Sequence, residues 1–266
     1  MTLRSHVGLL RRQILRSIHT RTVPIGDRGP IVSFAFDDFP RSAWTVGGRI
    51  LEKFSVRGTY YTAVGLMGTR NELGEQFCRE DLRDLVKAGH ELANHTFSHV
   101  SCRSMACEAF QREVNRGRMA IEDLTGNASS NFAFPFGDVT LRAKKAIGGS
   151  MASCRSVWGG VNGPKADLNL LRANSIYGDR DRFPEIQRLL EENERRRGWL
   201  IFYTHDIATV PSRFGCTPTL LDLAVSFSVR QAVRILTVAE VIAGLGIQRA
   251  GVERQAQQAQ PAALIK

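Results

Sequence analysis

The sequence predicts an α/β fold built as a distorted (β/α) barrel of seven to eight strands. Three observations lead there. Short apolar, β-prone runs alternate with helical stretches from Ile31 onward. Seven or eight such units follow one another without an internal repeat, and 266 residues suit one large domain of this kind. Several runs end abruptly in groups that carry chemistry, as parallel barrel strands do at the face their carboxyl ends share. A doubly wound open sheet is the competing architecture.

Residues 1–22 come first. Leu3, Val7, Leu10, Ile14 and Ile18 recur at helical spacing, and Arg4, Arg11, Arg12 and Arg16 lie largely off that stripe. This is a basic amphipathic helix, suited either to an anionic lipid surface or to packing on the domain or a partner subunit. Strands are expected at 31–36, 58–64, 90–94, 131–135, 152–157, 170–176, 199–204 and 234–237. Helices are expected at 42–55, 79–88, 104–124, 138–148, 182–197, 218–232 and 238–245. Residues 248–266, rich in Ala, Gln and Arg with little periodicity, are expected to form a frayed tail. The expected organisation is a helix over 1–22, a single domain over 23–247 and a tail over 248–266.

Composition narrows the class. The hydrophobic share of 43% is ordinary for a soluble globular protein. Lysine and arginine number 36 against 26 acidic residues, a formal charge of +10. That balance is compatible with nucleic acid, an anionic membrane surface or an acidic polymer and selects none of them. A nucleic-acid partner is not expected. Cys78, Cys102, Cys107, Cys154 and Cys216 are odd in number and lack C-x-x-C spacing, so neither a disulfide framework nor a cysteine zinc site is suggested. No apolar run is long enough to span a membrane, and Arg11, Arg12 and Arg16 interrupt any signal-peptide core. A cytoplasmic protein is expected, with peripheral contact at the inner membrane face if the first helix meets lipid.

Four strand ends carry the chemistry. The run from Ile31 to Phe36 passes straight into Asp37 and Asp38 and then Pro40. Two adjacent carboxylates at the end of an apolar strand are costly unless neutralised, and a divalent metal would take one and leave the other free as a base. Asp-Asp alone is equally compatible with a cap on a helix starting near Ser42. His95 and His99 follow the short strand at 90–94, four residues apart, a spacing that lets two imidazoles share a metal. With Asp38 they would form a His-His-Asp set with positions left for water and substrate. The third end, Phe134-Pro135-Phe136-Gly137, is a bend that aims backbone N–H groups past the strand, where they can stabilise an oxyanion. Taken in isolation, an ordinary strand-to-helix turn is the better account of this segment. The fourth, Tyr203-Thr204-His205, places a titratable group after the strand from Trp199, suited to proton donation or to a packed cap.

Together these stretches resemble the polysaccharide deacetylase family, the NodB-homology or carbohydrate esterase family 4 domain. Phe36-Asp37-Asp38-Phe39-Pro40 is similar to its first motif, T-F-D-D-G-P. His95-Thr96-Phe97-Ser98-His99 matches H-[ST]-x-x-H. Residues 132–137 resemble R-x-P-x-G, and Tyr203-Thr204-His205 is similar to L-x-H. The resemblance spans roughly residues 30–245. It implies a divalent metal, usually zinc, and removal of N-acetyl groups from amino sugars. It also implies Asp37 as general base, Asp38, His95 and His99 as metal ligands, His205 as general acid and the backbone N–H of Phe136 as oxyanion donor. An N-acetylated glycan is the implied partner, and a lipid-linked precursor of an exported polysaccharide would suit the basic first helix.

The departures set further expectations. Phe39 replaces a glycine and is expected to alter the rim beside the metal. Tyr203 replaces a leucine associated with the acetyl pocket. The fourth motif, with its Asp and Trp, has no clear match. Ala133 stands where the family has the arginine that pairs with the base, and Arg172, a charge amid Leu170-Leu171 and Ala173, is expected to supply it. Two other functions are weighed: hydrolysis of small cyclic amides, and a metal-retaining glycan-binding barrel without turnover.

Overall fold

A computed structural model describes residues 12–247. Its centre is a curled parallel sheet whose strands we number β1 (Ile31–Asp37), β2 (Thr59–Thr62), β3 (Glu91–Asn94), β4 (Asn131–Ala133), β5 (Ser153–Arg155), β6 (Asn174–Ser175), β7 (Trp199–Thr204) and β8 (Arg234–Ile235). Seven strands run in the order β6-β7-β1-β2-β3-β4-β5, all parallel, and β8 pairs with the start of β1. The result is a parallel half-barrel. Residues 168–171 hydrogen-bond along β5 and the chain then pairs with β7 through β6, so one irregular segment reaches across the opening.

Alternation along β1 sorts the core. Val32, Phe34 and Phe36 join Leu200 and Phe202 under the helices. Ile31 and Ala35 point the other way, into the barrel, with Tyr61, Ala93, Ala133 and Tyr203. The same parity carries Asp37 inward. Helices α1 (Arg49–Lys53), α2 (Arg79–Lys87), α3 (Cys107–Thr125), α4 (Leu141–Ser150), α5 (Phe183–Arg196), α6 (Pro218–Arg230) and α7 (Val238–Gly244) cross between strands. Their ends follow local chemistry. Thr140, Thr217 and Thr237 cap α4, α6 and α7 with their hydroxyls, and Gly126 ends α3 in the left-handed region at φ 71°.

The expected strands and helices form in the expected order. The stretch from Ala43 to Gly48 is wider than an α-helix, with π-type hydrogen bonding. The first segment needs correction. Among the described residues it is helical only at 12–17, and Thr22–Pro24 is already strand, paired antiparallel with Lys165–Asp167. Leu15 is the buried residue, at 2% exposure, whereas Ile14 and Ile18 are 39% and 41% exposed. Leu15 packs with Phe110, Phe134 and Ala143, and its carbonyl accepts a hydrogen bond from the buried Lys144 Nζ (2.7 Å). Residues 1–11 and the expected tail over 248–266 lie outside the described residues. No described helix is long and apolar enough to cross a membrane.

Behind the sheet, buried His90 accepts a hydrogen bond from Gly58 N at Nδ1 (3.0 Å), and its ring meets Trp44 and Tyr60 edge-on. Its Nε2 is buried without a partner. Burial, then the charge of Arg57, pushes its pKa down to about 4. The unfolded chain takes up that proton near the ordinary value of 6.5, whereas the folded chain resists it. Stability is therefore fully present above the unfolded value and declines as pH falls toward 4, by on the order of 1–3 kcal/mol. Denaturant titrations across that window should show a shallower slope in His90→Asn, by close to one proton. An unchanged slope would remove His90 from the acid sensitivity.

Candidate active site

Each barrel strand delivers its site residue where the chain leaves the sheet. Asp38 follows β1, His95 follows β3, and His99 lies one turn of loop further on. In register, Thr204 of β7 stands opposite Phe36 of β1, so His205 leaves the sheet level with Asp37. Backbone strain concentrates on this rim. Asp38, Phe39, Thr96, His99 and Phe136 have φ between 52° and 63°, a left-handed conformation costing L-residues on the order of 1–2 kcal/mol each.

Asp38, His95 and His99 come together with one donor atom each, all within 4.8 Å of one another. Asp38 Oδ1 lies 2.9 Å from His99 Nε2 and 3.3 Å from His95 Nε2. His95 Nδ1 lies 2.8 Å from the Ala133 carbonyl, which can only accept. With the ring proton there, neutral His95 turns the lone pair of Nε2 toward the carboxylate. Asp38 Oδ1 is itself buried without a conventional hydrogen bond. Lone pairs facing one another in a buried pocket are the donor set of a cation site, and the residues fit a divalent metal. Burial raises the Asp38 carboxyl, and only positive charge set against it, on protonated His95 and His99 or on a cation in their place, holds it well below the usual carboxylate range.

Asp37 sits beside this set and is paired with Arg155, whose Nη2 donates to Asp37 Oδ1. Both are almost fully buried. The guanidinium also donates to the Ser156 carbonyl (3.2 Å) and lies over the rings of Tyr61 (4.5 Å) and Tyr203 (5.1 Å). Burial works against the charge of Arg155, and Asp37 more than restores it. Ala133 and Arg155 are register partners on β4 and β5. The cation thus reaches Asp37 from the position next door to the expected one, and the small Ala133 leaves it room.

This corrects the expectation for Arg172. Its neighbours Leu171 and Ala173 face the barrel interior, so residue 172 points outward. Its Nη1 donates to the Gly159 carbonyl (3.1 Å), away from Asp37. The signal for Arg155 was already present: it too is an arginine inside a short expected strand, beside Cys154. Phe39 also departs from expectation. Its ring is fully buried, stacked on Phe77 (4.9 Å) and near Tyr60 (5.0 Å), so it fills core rather than shaping the rim.

His205 Nδ1 lies 3.1 Å from the Phe214 carbonyl, which fixes the ring proton there and leaves Nε2 for exchange. Asp206 anchors the same loop by accepting from Ser212 N (2.7 Å) and Ser212 Oγ (2.5 Å). Phe136 is 65% exposed, and its ring lies 4.5 Å from that of His99. Trp158 lines a 400 Å³ cavity with Phe136, Arg12 and Arg103.

The model of the family described as polysaccharide deacetylase matches residues 26–148. No curated protein matches the chain. Among solved structures, the Xyl-CE4 domain of a multidomain xylanase from the hindgut metagenome of Trinervitermes trinervoides has a TM-score of 0.58 at 18% identity, covering 83% of this chain and 93% of that one. A family 4 acetyl xylan esterase from Clostridium thermocellum, in complex with a cobalt ion, has a TM-score of 0.56 at 18% identity, covering 82% and 93%. A mutant of a CE4 family pseudoenzyme has a TM-score of 0.53 at 16% identity, covering 80% and 67%. At these identities the likeness is one of fold, and it extends through the strands beyond the matched segment. The segment 26–148, which carries Asp37, Asp38, His95 and His99, is thus the part of the chain similar to the polysaccharide deacetylase family.

Proposed function

We propose that the chain is a metal-dependent deacetylase that hydrolyses N-acetyl groups of amino sugars in a glycan, releasing acetate. The observation that carries this reading is the pairing of two neighbouring units: Asp38 with His95 and His99 as a donor set, and Asp37 held by Arg155 beside it. Zinc is the proposed ion, because two imidazoles and a carboxylate suit it. When bound, such an ion supplies Lewis acidity and lowers the pKa of water.

The chain's own residues supply the rest. Asp37, oriented by the Arg155 guanidinium, accepts a proton from the attacking water. The backbone N–H of Phe136 donates to the oxyanion that forms at the acetyl carbonyl. His205, its Nδ1 proton committed to Phe214, passes a proton from Nε2 to the departing amine, and acetate and a free amino group result. The exposed ring of Phe136 offers a sugar a flat apolar face next to His99.

Acetate release from N-acetylglucosamine oligomers tests the reading, using metal-stripped protein, zinc added back, and Asp37→Ala alongside. Zinc-dependent release that falls by about 10³-fold in the variant is expected. Binding of zinc and oligomer without any release from wild type would overturn it and favour a binding role.

A further inference from the structure

Arg172 has no acidic partner within ion-pair distance among the described residues, and the same holds for Arg16 and Lys165. These three line one cavity of 320 Å³ with Trp158, Asp167 and Arg196. The carboxylate in that wall is already satisfied. Asp167 accepts from the buried Lys144 Nζ (2.7 Å), from Arg21 N (2.9 Å) and from Asn169 N (3.0 Å). Arg196 pairs outward with Glu192 (2.8 Å) and donates to the Gly163 carbonyl (3.0 Å). Burial, then the charges of Arg16 and Arg196, pushes the half-buried Arg172 below its ordinary range. Like charges gathered around a concave wall focus a positive potential into it.

The cavity is not isolated from the candidate active site. Trp158 lines it and also lines the 400 Å³ cavity that reaches Phe136. Arg12 and Arg16 each lie 5.7 Å from the indole centroid, one guanidinium bordering each cavity. A chain of sugars leaving the rim past Phe136 and Trp158 would pass into this basic wall.

We propose that the cavity bounded by Arg16, Lys165, Arg172 and Arg196 is an anion subsite, and that the substrate is an acidic N-acetylated glycan whose phosphate or carboxylate group it holds. The proposal rests on the deacetylase reading for the direction in which the glycan runs. Guanidinium groups suit either anion, since both accept paired N–H donors.

Calorimetric titration of zinc-loaded protein carrying Asp37→Asn, which keeps an acceptor oxygen for Arg155, separates binding from turnover. Three probes are compared: a neutral N-acetylglucosamine tetramer, the same tetramer with a terminal phosphate monoester, and a tetramer alternating N-acetylglucosamine with glucuronate. At low salt at least one acidic tetramer should bind ~10-fold more tightly than the neutral one, with the advantage shrinking as salt rises. Adding Arg16→Ala and Arg172→Ala should bring the ratio near one. Lys165→Glu, at an exposed position that spares the fold, should also lower it. Whichever acidic tetramer leads identifies the anion. Equal affinities at low salt, no binding of any tetramer, or a preference that survives both sets of variants would overturn the subsite. Acetate release by the otherwise wild-type protein is read in parallel. Release without charge preference would sink the subsite and keep the deacetylase, and charge preference without release would do the reverse.

Discussion

Arg155→Ala is expected to destabilise the protein by about 3–5 kcal/mol and to lower kcat by roughly 10²–10³-fold while zinc still binds. Both effects come from one geometry. Arg155 is 1% exposed and Asp37 3%, so removing the cation leaves a largely desolvated carboxylate without its charge partner. Arg155 touches no substrate atom in this account; it positions the base. A merely structural role would lower the denaturation midpoint and leave kcat per folded molecule intact. A positioning role lowers kcat per folded, zinc-loaded molecule and leaves KM nearly unchanged. Arg155→Lys should recover part of the stability and little of kcat, because an ammonium cannot both meet Asp37 and lie flat over Tyr61 and Tyr203. The sharpest check is relocation. Ala133 is the register partner of Arg155 and faces the same interior, so Ala133→Arg combined with Arg155→Ala should restore at least tenfold of the lost kcat. No recovery in a folded double variant would mean that Asp37 requires the β5 direction of approach, or that Arg155 does not act through Asp37.

The same pair shows what could be read before any coordinates. Periodicity placed every barrel strand, because a parallel sheet covered on both faces writes continuous apolar runs that end where polar chemistry begins. Asp37, Asp38, His95, His99 and His205 stood at those ends, so the candidate site was legible as three strand termini. Which arginine serves Asp37 was not, since strand neighbours at 133 and 155 are joined by register and register is a tertiary fact. Parity could have helped: with Leu171 and Ala173 facing inward, Arg172 had to face out. Phe39 was misread for a related reason. A phenylalanine at a glycine position suggests a changed rim, but the left-handed backbone there turns the ring down onto Phe77. The helix at 12–17 is held by Leu15, a residue off the expected stripe, because burial is decided by the surface it meets at Phe110 and Ala143.

Asp38→Asn and His99→Ala are each expected to reduce bound zinc from about one per chain to well below that, and acetate release by 10³-fold or more. Metal content after gel filtration and competition against a chelator read the first effect independently of activity. The two variants should differ in stability. Without metal, wild type holds a buried carboxylate against the lone pair of His95, with Asp38 Oδ1 lacking a donor. Asp38→Asn replaces one acceptor by an amide that can donate to that lone pair. Metal-free Asp38→Asn should therefore unfold at the same or higher denaturant than metal-free wild type, and zinc should stabilise wild type alone. His99→Ala removes an imidazole in contact with Phe136 and leaves Asp38 facing His95, so it should lose zinc without that gain. If Asp38→Asn instead destabilised the metal-free protein strongly, Asp38 would be a structural acceptor for two protonated histidines, and the donor set would have to be read as an ion-pair network.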